Sequence, residues 1–563
     1  MLLSYGLSLC MGLTFSLASA KMYDRTIQTS LGPVRGYKYF TNQTELQTYF
    51  GVNDTDVTAF LGLPYAADTG YQNRWRAPQP RTPWNETLNA TTFGPSCPGG
   101  SDNYSEDCLS LNIWTNAKTP DAKLPVIVYS YGSDMSSNFS WFYGGGIAQK
   151  DVVFVTFNRR DDAFGFLAHP ELNAESVAEN GHNSSGNYGV LDQLEVLKWI
   201  QKNIAHFGGD PDRVTISGSS FGSSQVYHAV NSKLFSGLFH RGIAVSGIRY
   251  PYDTLLAGLA TSYVNMSRAL QLGEKYTAAH NVSTIEELRT VSMEKLLKGS
   301  QDRVTGADIW WVTSLSTNYP LQFKPVLDGY VLPEKYIQSL LQGPVNDVPI
   351  ITGNTRDESG AEVIKYYTVS EYKKYNLLKY GKLADWYFKL YPGGNTTNSS
   401  SDAWRLAAQD LSKTSTWAYA RDWVHSVAKS PIYTYFWDHV VPGSGMGAFH
   451  QGDVMYIHSL PKTTRSLTLY QAVSFDATAL PLMANKQDVI LKDKIDWANF
   501  AHTGNPNKGG SVRRSGKLAD WKPNAKNTSE VFYMGGEWKM APITNEINKT
   551  DFMMSYFGMQ KPW

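Results

Sequence analysis

A serine between two glycines is the first residue of the chain whose setting suggests chemistry. Ser220 is the central residue of 218–222 (GSSFG), which fits the pattern G-x-S-x-G. In this motif the serine stands on a sharp turn between a strand and a helix, where its hydroxyl is exposed for nucleophilic attack. The turn needs small residues because its backbone is strained and the helix approaches closely, and the helix N-terminus favours nearby negative charge. The motif alone is short enough to occur by chance, so the surrounding elements decide its meaning.

The elements around this motif alternate between strand and helix. Residues 125–129 (PVIVY) and 152–157 (VVFVTF) have the composition of buried strands, and a third short strand is predicted at 213–217 (RVTIS). Residues 192–204 have the apolar spacing of an amphipathic helix, and another helix is predicted over 223–230. This order predicts an α/β fold with a large, mostly parallel, twisted central sheet and helices on both faces.

Several sequence blocks together resemble the type-B carboxylesterases and cholinesterases. These blocks are 105–112 (SEDCLSLN), 164–167 (FGFL), 186–193 (GNYGVLDQ), 207–218 (FGGDPDRVTISG) and 499–507 (NFAHTGNPN). The similarity runs from about Val34 to about Pro523 and is most marked toward the secreted fungal branch. The resemblance implies an α/β-hydrolase fold, a single domain over residues 21–563, and an ester hydrolase that acts through an acyl-enzyme on Ser220.

A serine nucleophile needs a general base and a group that orients this base. In α/β-hydrolases the order along the chain is serine, acid, histidine. The resemblance implies that the base is His450, within 447–453 (GAFHQGD), where Gln451 stands in place of the family's usual glycine. It implies that the acid is Glu358, with the neighbouring Asp357 as the alternative if the loop register is shifted.

The stretch that should form the oxyanion hole departs from the family pattern. Where the family carries His-Gly-Gly-Gly, this chain has 131–134 (YGSD). A carboxylate at Asp134 would oppose a forming oxyanion unless it turns away or is protonated. After the nucleophile, Phe221 can still donate its backbone N–H, but its ring replaces the usual alanine methyl, and Ser219 replaces the usual glutamate.

Three interpretations of this departure stay open. In the first, Ser133 and Asp134 still donate backbone N–H groups beside the retained Gly132, and the protein is a slower or narrower esterase. In the second, the phenol of Tyr131 is a donor, since Tyr131-Gly132 resembles the tyrosine-type hole of prolyl oligopeptidases. In the third, the scaffold performs non-hydrolytic chemistry on a natural product, such as acyl transfer, lactonisation, elimination or cyclisation. A catalytically silent binding protein is a further alternative, but retention of all three triad candidates argues against it.

The N-terminus and the sequons predict passage through the secretory pathway. Residues 2–20 are apolar and end in Ala-Ser-Ala, so residues 1–20 are predicted to be a signal peptide that is removed before Lys21. Asn-x-Ser/Thr sequons are dense, which predicts a secreted glycoprotein. The sequon asparagines are Asn42, Asn53, Asn85, Asn89, Asn103, Asn138, Asn183, Asn265, Asn281, Asn395, Asn398, Asn527 and Asn548.

Cysteine usage fits the same compartment. Of the three cysteines, Cys10 would leave with the signal peptide, and Cys97 and Cys108 are then expected to pair. The resemblance identifies this pair with the family's first disulfide. Closing so short a loop stabilises the fold by about 3 kcal/mol in the chain-entropy model. Related fungal lipases carry a longer lid between these cysteines, so the short interval favours soluble esters as substrates.

Composition narrows the range of partners. With 51 basic and 50 acidic residues the formal net charge is +1. This near-neutral balance does not indicate binding to nucleic acid or to an anionic membrane. No apolar run after the leader is long enough to span a membrane, and no metal or cofactor motif stands out. The expected partner is a small-molecule ester or natural product, without a cofactor or metal, and the sequence does not indicate an oligomeric state.

Overall fold

The structure is a computed structural model that describes part of the chain. The described residues are 20–42, 55–100, 103–133, 135–258, 262–304, 320–358, 360–440, 444–458, 497–508 and 520–563. Of the predicted signal peptide, only its last residue falls within these ranges. Asn53 and Asp134 lie outside them.

Sixteen strands are formed by the described residues. They are β1 Thr26–Gln28, β2 Pro33–Arg35, β3 Tyr37–Lys38, β4 Thr58–Pro64, β5 Leu88–Asn89, β6 Ser110–Thr115, β7 Leu124–Ser130, β8 Val153–Phe157, β9 Gly209–Ser219, β10 Arg241–Val245, β11 Val264–Asn265, β12 Val326–Leu327, β13 Ile350–Thr355, β14 Ile432–Trp437, β15 Glu530–Met534 and β16 Lys539–Pro542. Eleven of these strands form one sheet, in the order β16-β15-β14-β13-β10-β9-β7-β8-β6-β4-β3.

The same ranges contain fifteen α-helices. They are α1 Gly145–Ala148, α2 Asp162–Phe166, α3 Pro170–Asn180, α4 Tyr188–Asn203, α5 Phe221–Asn231, α6 Met266–Ala279, α7 Ile285–Thr290, α8 Met293–Leu296, α9 Tyr336–Gln342, α10 Val369–Tyr380, α11 Ala384–Leu390, α12 Thr397–His425, α13 Val454–Ile457, α14 Trp497–Thr503 and α15 Ile547–Phe557. None of the described helices is long and apolar enough to cross a membrane.

The centre of the large sheet is parallel. The seven strands from β8 to β15 pair in parallel, while β16 on one edge and β6, β4 and β3 on the other are antiparallel. Along β7, Val126 and Val128 face one apolar cluster and Ile127 and Tyr129 face another, so the sheet is covered on both sides. The prediction of a mostly parallel sheet within an α/β fold is confirmed.

The strands and helices predicted around Ser220 are present with shifted ends. The helix predicted from residue 192 begins at Tyr188, and β9 begins at Gly209 rather than at residue 213. Leu124 of β7 pairs with Gly209 and Val126 pairs with Val214, so the extra residues on β9 form a bulge that contains Pro211. Every residue of α5 is buried, because this helix packs directly on β9 and β10. These contacts fix the position of the turn between β9 and α5.

The structure contains the predicted disulfide, and most of the sequon asparagines lie at the surface. Cys97 and Cys108 are bonded, with their Cα atoms 5.0 Å apart, which confirms the predicted pair. Of the sequon asparagines within the described ranges, all are exposed except Asn138, which is half-buried. A glycan could therefore be attached at the exposed positions without disturbing the core.

Candidate active site

The turn between β9 and α5 gives Ser220 a strained backbone. β9 ends at Ser219, α5 begins at Phe221, and Ser220 between them has φ 55° and ψ −120°. The Ser220 N–H donates to the carbonyl of Val245 (2.9 Å), and the Ser220 carbonyl accepts from the N–H of Ser223 (3.0 Å). A left-handed backbone at a residue other than glycine costs of order 1–3 kcal/mol and is concentrated at functional sites. This is the backbone geometry that a nucleophile elbow requires.

Two glycines make this turn possible. A Cβ on Gly222 would lie 2.0 Å from the carbonyl oxygen of Ser130, and a Cβ on Gly218 would lie 2.3 Å from the carbonyl oxygen of Gly222. Neither position can hold a side chain without moving the backbone of β7 or α5. The two glycines of the G-x-S-x-G motif are therefore explained by close approach of three backbone segments.

His450 and Glu358 meet at the ends of neighbouring strands. Glu358 follows β13, and its Oε1 accepts a hydrogen bond from the N–H of Thr355 (3.1 Å). Its Oε2 lies 2.6 Å from Nδ1 of His450, in the loop after β14. Glu358 is buried, whereas the His450 side chain is 26% exposed. This contact orients the imidazole and leaves Nε2 for the reacting groups.

The pair shifts both pKa values in the direction that a base needs. Burial would raise the pKa of Glu358, but the charge and hydrogen bond of His450 lower it to about 2. Burial would lower the pKa of His450, but the Glu358 carboxylate prevails and raises it above its ordinary value. Glu358 is thus ionised at neutral pH and strengthens the basicity of the imidazole.

Asp357 contacts the main chain and an arginine, whereas Glu358 contacts His450. Its Oδ2 accepts from the N–H of Ala448 (2.6 Å), and its own N–H donates to the Ala448 carbonyl (3.0 Å). An ion pair with Nη2 of Arg356 (2.8 Å) engages the same carboxylate. Asp357 therefore ties the loop after β13 to the loop that carries His450. The structure places Glu358, and not the alternative Asp357, against the imidazole.

A further buried carboxyl lies beside this pair. Asp453 has 0% exposure, and its Oδ2 accepts a hydrogen bond from the Tyr435 hydroxyl (2.9 Å). Burial raises the pKa of Asp453 to about 7; the Tyr435 hydrogen bond opposes this rise and the charge of Glu358 adds to it. Sequence reasoning missed this group, although it is the last residue of the GAFHQGD stretch around His450.

The end of β7 and the His450 loop both approach Ser220. A Cβ on Gly132 would lie 3.3 Å from Cβ of Ser220 and 2.9 Å from Nε2 of Gln451, so Gly132 packs closely against both residues. Ser133, which follows Gly132, is half-buried. The N–H of Phe221 belongs to the first turn of α5, where backbone donors have no acceptor within the helix. Of the predicted backbone donors, Ser133 and Phe221 are thus adjacent in sequence to Gly132 and Ser220, and Asp134 lies outside the described residues.

The structure does not support the phenol of Tyr131 as an oxyanion donor. The Tyr131 hydroxyl accepts from the N–H of Arg159 (3.1 Å) and donates to the Arg159 carbonyl (3.4 Å). Both of its hydrogen-bonding functions are therefore used by the main chain of one residue. The ring is buried in the core, with 1% exposure.

Tyr131 and Phe221, which both depart from the family pattern, pack on the same guanidinium. The Cζ of Arg159 lies 4.3 Å from the ring centre of Tyr131 and 5.1 Å from that of Phe221. Arg159 is fully buried, and its Nε pairs with Asp161 (3.1 Å). The Phe221 ring also contacts Phe166, with 5.6 Å between ring centres. The larger ring at position 221 is thus explained by packing beneath the turn.

The same guanidinium holds the backbone at the end of β7. Arg159 donates from Nη1 to the Ser130 hydroxyl (3.0 Å) and from Nη2 to the carbonyl of Gly132 (3.5 Å). A trans peptide is planar, and its N–H points opposite to its C=O. Fixing the Gly132 carbonyl toward Arg159 therefore directs the N–H of Ser133 away from Arg159. Sequence reasoning missed Arg159.

Fold and site together define an α/β-hydrolase. The sequence profile of the Carboxylesterase family matches residues 23–553, and the chain belongs to this family. The protein is a carboxylic ester hydrolase.

Among the described residues, no cluster of three or more histidine, cysteine or acidic side chains could hold a metal ion.

Characterised esterases resemble this chain over most of their length. Fumonisin B1 esterase of Sphingopyxis macrogoltabida is 32% identical over 475 residues, which cover 81% of this chain and 80% of that protein. Para-nitrobenzyl esterase of Bacillus subtilis (strain 168) is 30% identical over 519 residues, covering 86% and 93%. A solved PNB esterase, 26% identical, superimposes with a TM-score of 0.69 over 94% of this chain and 99% of its own.

Proposed function

We propose that this protein is a secreted serine carboxylesterase that hydrolyses esters of small organic molecules through an acyl-enzyme on Ser220. The observation that carries the proposal is the 2.6 Å contact between His450 and Glu358, on a loop that also reaches the strained Ser220. Esterases among the relatives support a small-molecule ester as substrate. Secretion is supported by the apolar leader and by the exposed sequons.

Acylation begins when Ser220 Oγ attacks the ester carbonyl. Nε2 of His450 takes the hydroxyl proton, and Glu358 stabilises the imidazolium that forms. Negative charge develops on the former carbonyl oxygen, which the N–H groups of Ser133 and Phe221 would stabilise. When the tetrahedral intermediate collapses, His450 gives its proton to the alcohol oxygen, and the alcohol leaves.

Deacylation repeats these steps with water. The alcohol has left, and a water molecule in its place gives a proton to His450 and attacks the acyl carbon. The same backbone donors stabilise the second oxyanion. Collapse of this intermediate returns the proton to Ser220 and releases the carboxylic acid, so the imidazole finishes neutral and ready for the next substrate.

The proposal is tested by turnover combined with covalent labelling. The secreted protein is expected to hydrolyse p-nitrophenyl acetate and butyrate, and a fluorophosphonate is expected to stop turnover by modifying Ser220 alone, as mapped by peptide mass spectrometry. Heat-unfolded protein is the control for non-specific labelling. Labelling at another residue would remove the assigned nucleophile. A folded protein that neither turns over nor is labelled would favour the non-hydrolytic alternative.

The pH profile should reflect the raised pKa of His450. Protonated imidazole cannot accept the Ser220 proton, so kcat/KM is expected to fall as pH decreases through the pKa of His450, with a midpoint above 6.5. Asp453 titrates nearby, with a pKa of about 7, so the profile is also measured for Asp453→Asn. A midpoint at or below 6.5 in both proteins would show that the Glu358 carboxylate does not raise the basicity of His450.

Loss of the Arg159 guanidinium should slow catalysis through the oxyanion donors. Arg159→Met keeps an unbranched apolar stem but removes the guanidinium that holds the Gly132 carbonyl, so kcat is expected to fall about 100-fold, the effect of one lost donor. Tyr131→Phe is the matched control, because it keeps the stacked ring and is expected to lower kcat by less than about threefold. Thermal unfolding of both variants separates this effect from loss of the fold. An unchanged kcat in folded Arg159→Met would contradict the role of Arg159 in positioning the oxyanion donors.

A further inference from the structure

Gln451 keeps a side chain at a backbone position that suits glycine. Its φ is 66°, in the left-handed region, and the residue stands where the family usually has glycine. This conformation costs about 1–2 kcal/mol for a residue with a Cβ. The side chain is nevertheless nearly buried, with 4% exposure. Such backbone strain beside a nucleophile is a reason to look for a function of the side chain.

A short chain of hydrogen bonds fixes the orientation of this amide. The Ser219 hydroxyl donates to Oε1 of Gln451 (3.3 Å) and lies 2.7 Å from the Tyr129 hydroxyl. Since the carbonyl and the NH2 group occupy opposite edges of an amide, Nε2 points away from Ser219. At position 219 the family usually has glutamate, so this chain has a neutral hydroxyl and a neutral amide where a carboxylate would otherwise stand.

The Nε2 group lies close to Gly132 and Ser220. A Cβ on Gly132 would lie 2.9 Å from Nε2 of Gln451 and 3.3 Å from Cβ of Ser220, so Gly132 packs against both side chains and brings the amide near the nucleophile. Within the described ranges, Nε2 donates to no protein acceptor. A hydrogen-bond donor that is fixed in orientation and close to the nucleophile is suited to bind a substrate atom.

The position of Gln451 next to His450 indicates which half of the ester it would contact. The leaving oxygen takes its proton from the imidazole, so the alcohol half of the substrate lies on the His450 side of Ser220. We propose that Gln451 Nε2 donates to the alcohol half, and that the site selects esters whose alcohol carries a hydrogen-bond acceptor rather than a cation. This inference rests on the proposed function.

A matched pair of esters tests the donor. 2-Methoxyethyl butyrate and butyl butyrate have the same acyl group and nearly the same shape, but only the former has an acceptor oxygen in its alcohol. In Gln451→Met, which keeps the side-chain length without a donor, the kcat/KM ratio of the two esters is expected to fall about five- to tenfold relative to the native protein. Gln451→Gly, which also relieves the backbone, should show the same fall and serves if Gln451→Met does not fold.

A second pair tests charge. Butyrylcholine and 3,3-dimethylbutyl butyrate have the same shape, and only butyrylcholine is a cation. The native protein is expected to favour the neutral ester, and Gln451→Glu should shift the ratio toward butyrylcholine about tenfold or more, since it places a carboxylate beside the alcohol half. If the Gln451 variants hydrolyse the esters with both kcat/KM ratios unchanged, the role of Gln451 is wrong and the proposed function stands. Absence of any ester turnover and of Ser220 labelling would overturn the proposed function with it.

Discussion

Ser220→Ala is expected to lower kcat for p-nitrophenyl butyrate by about 10⁴-fold or more. Without the hydroxyl no acyl-enzyme forms, and the oxyanion donors alone leave only a small rate above that of water. The measurement is steady-state hydrolysis at high enzyme concentration, together with a search for the initial burst of p-nitrophenol. The variant should keep the fold, because only one hydroxyl oxygen is removed and the backbone bonds of Ser220 are unchanged.

Ser223→Ala is the matched control for this variant. Ser223 lies one helical turn further along α5, and its buried hydroxyl has no hydrogen-bond partner among the described residues. Removing this hydroxyl is expected to change kcat by less than about threefold, because no hydrogen bond is lost. Comparable losses in both variants would mean that the turn, and not the Ser220 hydroxyl, is what the substitution disturbs. Full activity of Ser220→Ala would exclude the acyl-enzyme mechanism.

Glu358→Gln is expected to lower kcat by about 10⁴-fold with little change in the thermal unfolding temperature. The amide is nearly the same size, but it neither stabilises the imidazolium nor holds Nδ1 as the protonated nitrogen. In the native protein a short contact of 2.6 Å joins this nitrogen to the carboxylate. The variant should also lose the raised pKa of His450, which NMR titration of the imidazole would detect as a shift to lower pH.

Asp357→Asn should show the opposite balance of effects. Asp357 holds the backbone of Ala448 and pairs with Arg356, so its loss should lower the unfolding temperature. The expected fall in kcat is less than about tenfold, because the contact of Glu358 with His450 is retained. If Asp357→Asn instead lost most of the activity and Glu358→Gln did not, the acid would have to be reassigned to Asp357.

The predictions that succeeded were those carried by local pattern. The strand predicted at 125–129 occupies Leu124–Ser130, and the helix predicted at 192–204 occupies Tyr188–Asn203, because buried strands and packed helices leave continuous or periodic apolar residues. The disulfide was also predicted, since only two cysteines remain after the leader. The early start of β9 was missed, because Pro211 indicates a turn and a bulge accommodates it within the sheet.

The contacts that distinguish this site could not be found from local pattern. Gln451 and Ser219 are 232 positions apart, and nothing near either residue indicates the other. Arg159 meets Tyr131 and Phe221 only because β7, β8 and β9 are neighbours in the sheet. From the sequence, Tyr131 and Phe221 were two separate departures from the family pattern. The fold makes them parts of one arrangement.

The stack of Tyr131, Arg159 and Phe221 has a practical consequence for redesign. If the family's triple-glycine hole is grafted onto this scaffold together with its usual alanine at position 221, the loss of the Phe221 ring would leave a void beside the buried Arg159. Each ring that covers the guanidinium contributes up to about 2 kcal/mol when water is excluded. Substituting Tyr131, Arg159 and Phe221 one at a time would therefore produce intermediates of lower stability. An engineer should change all three positions in one step, as a cassette, and screen for stability before screening for rate.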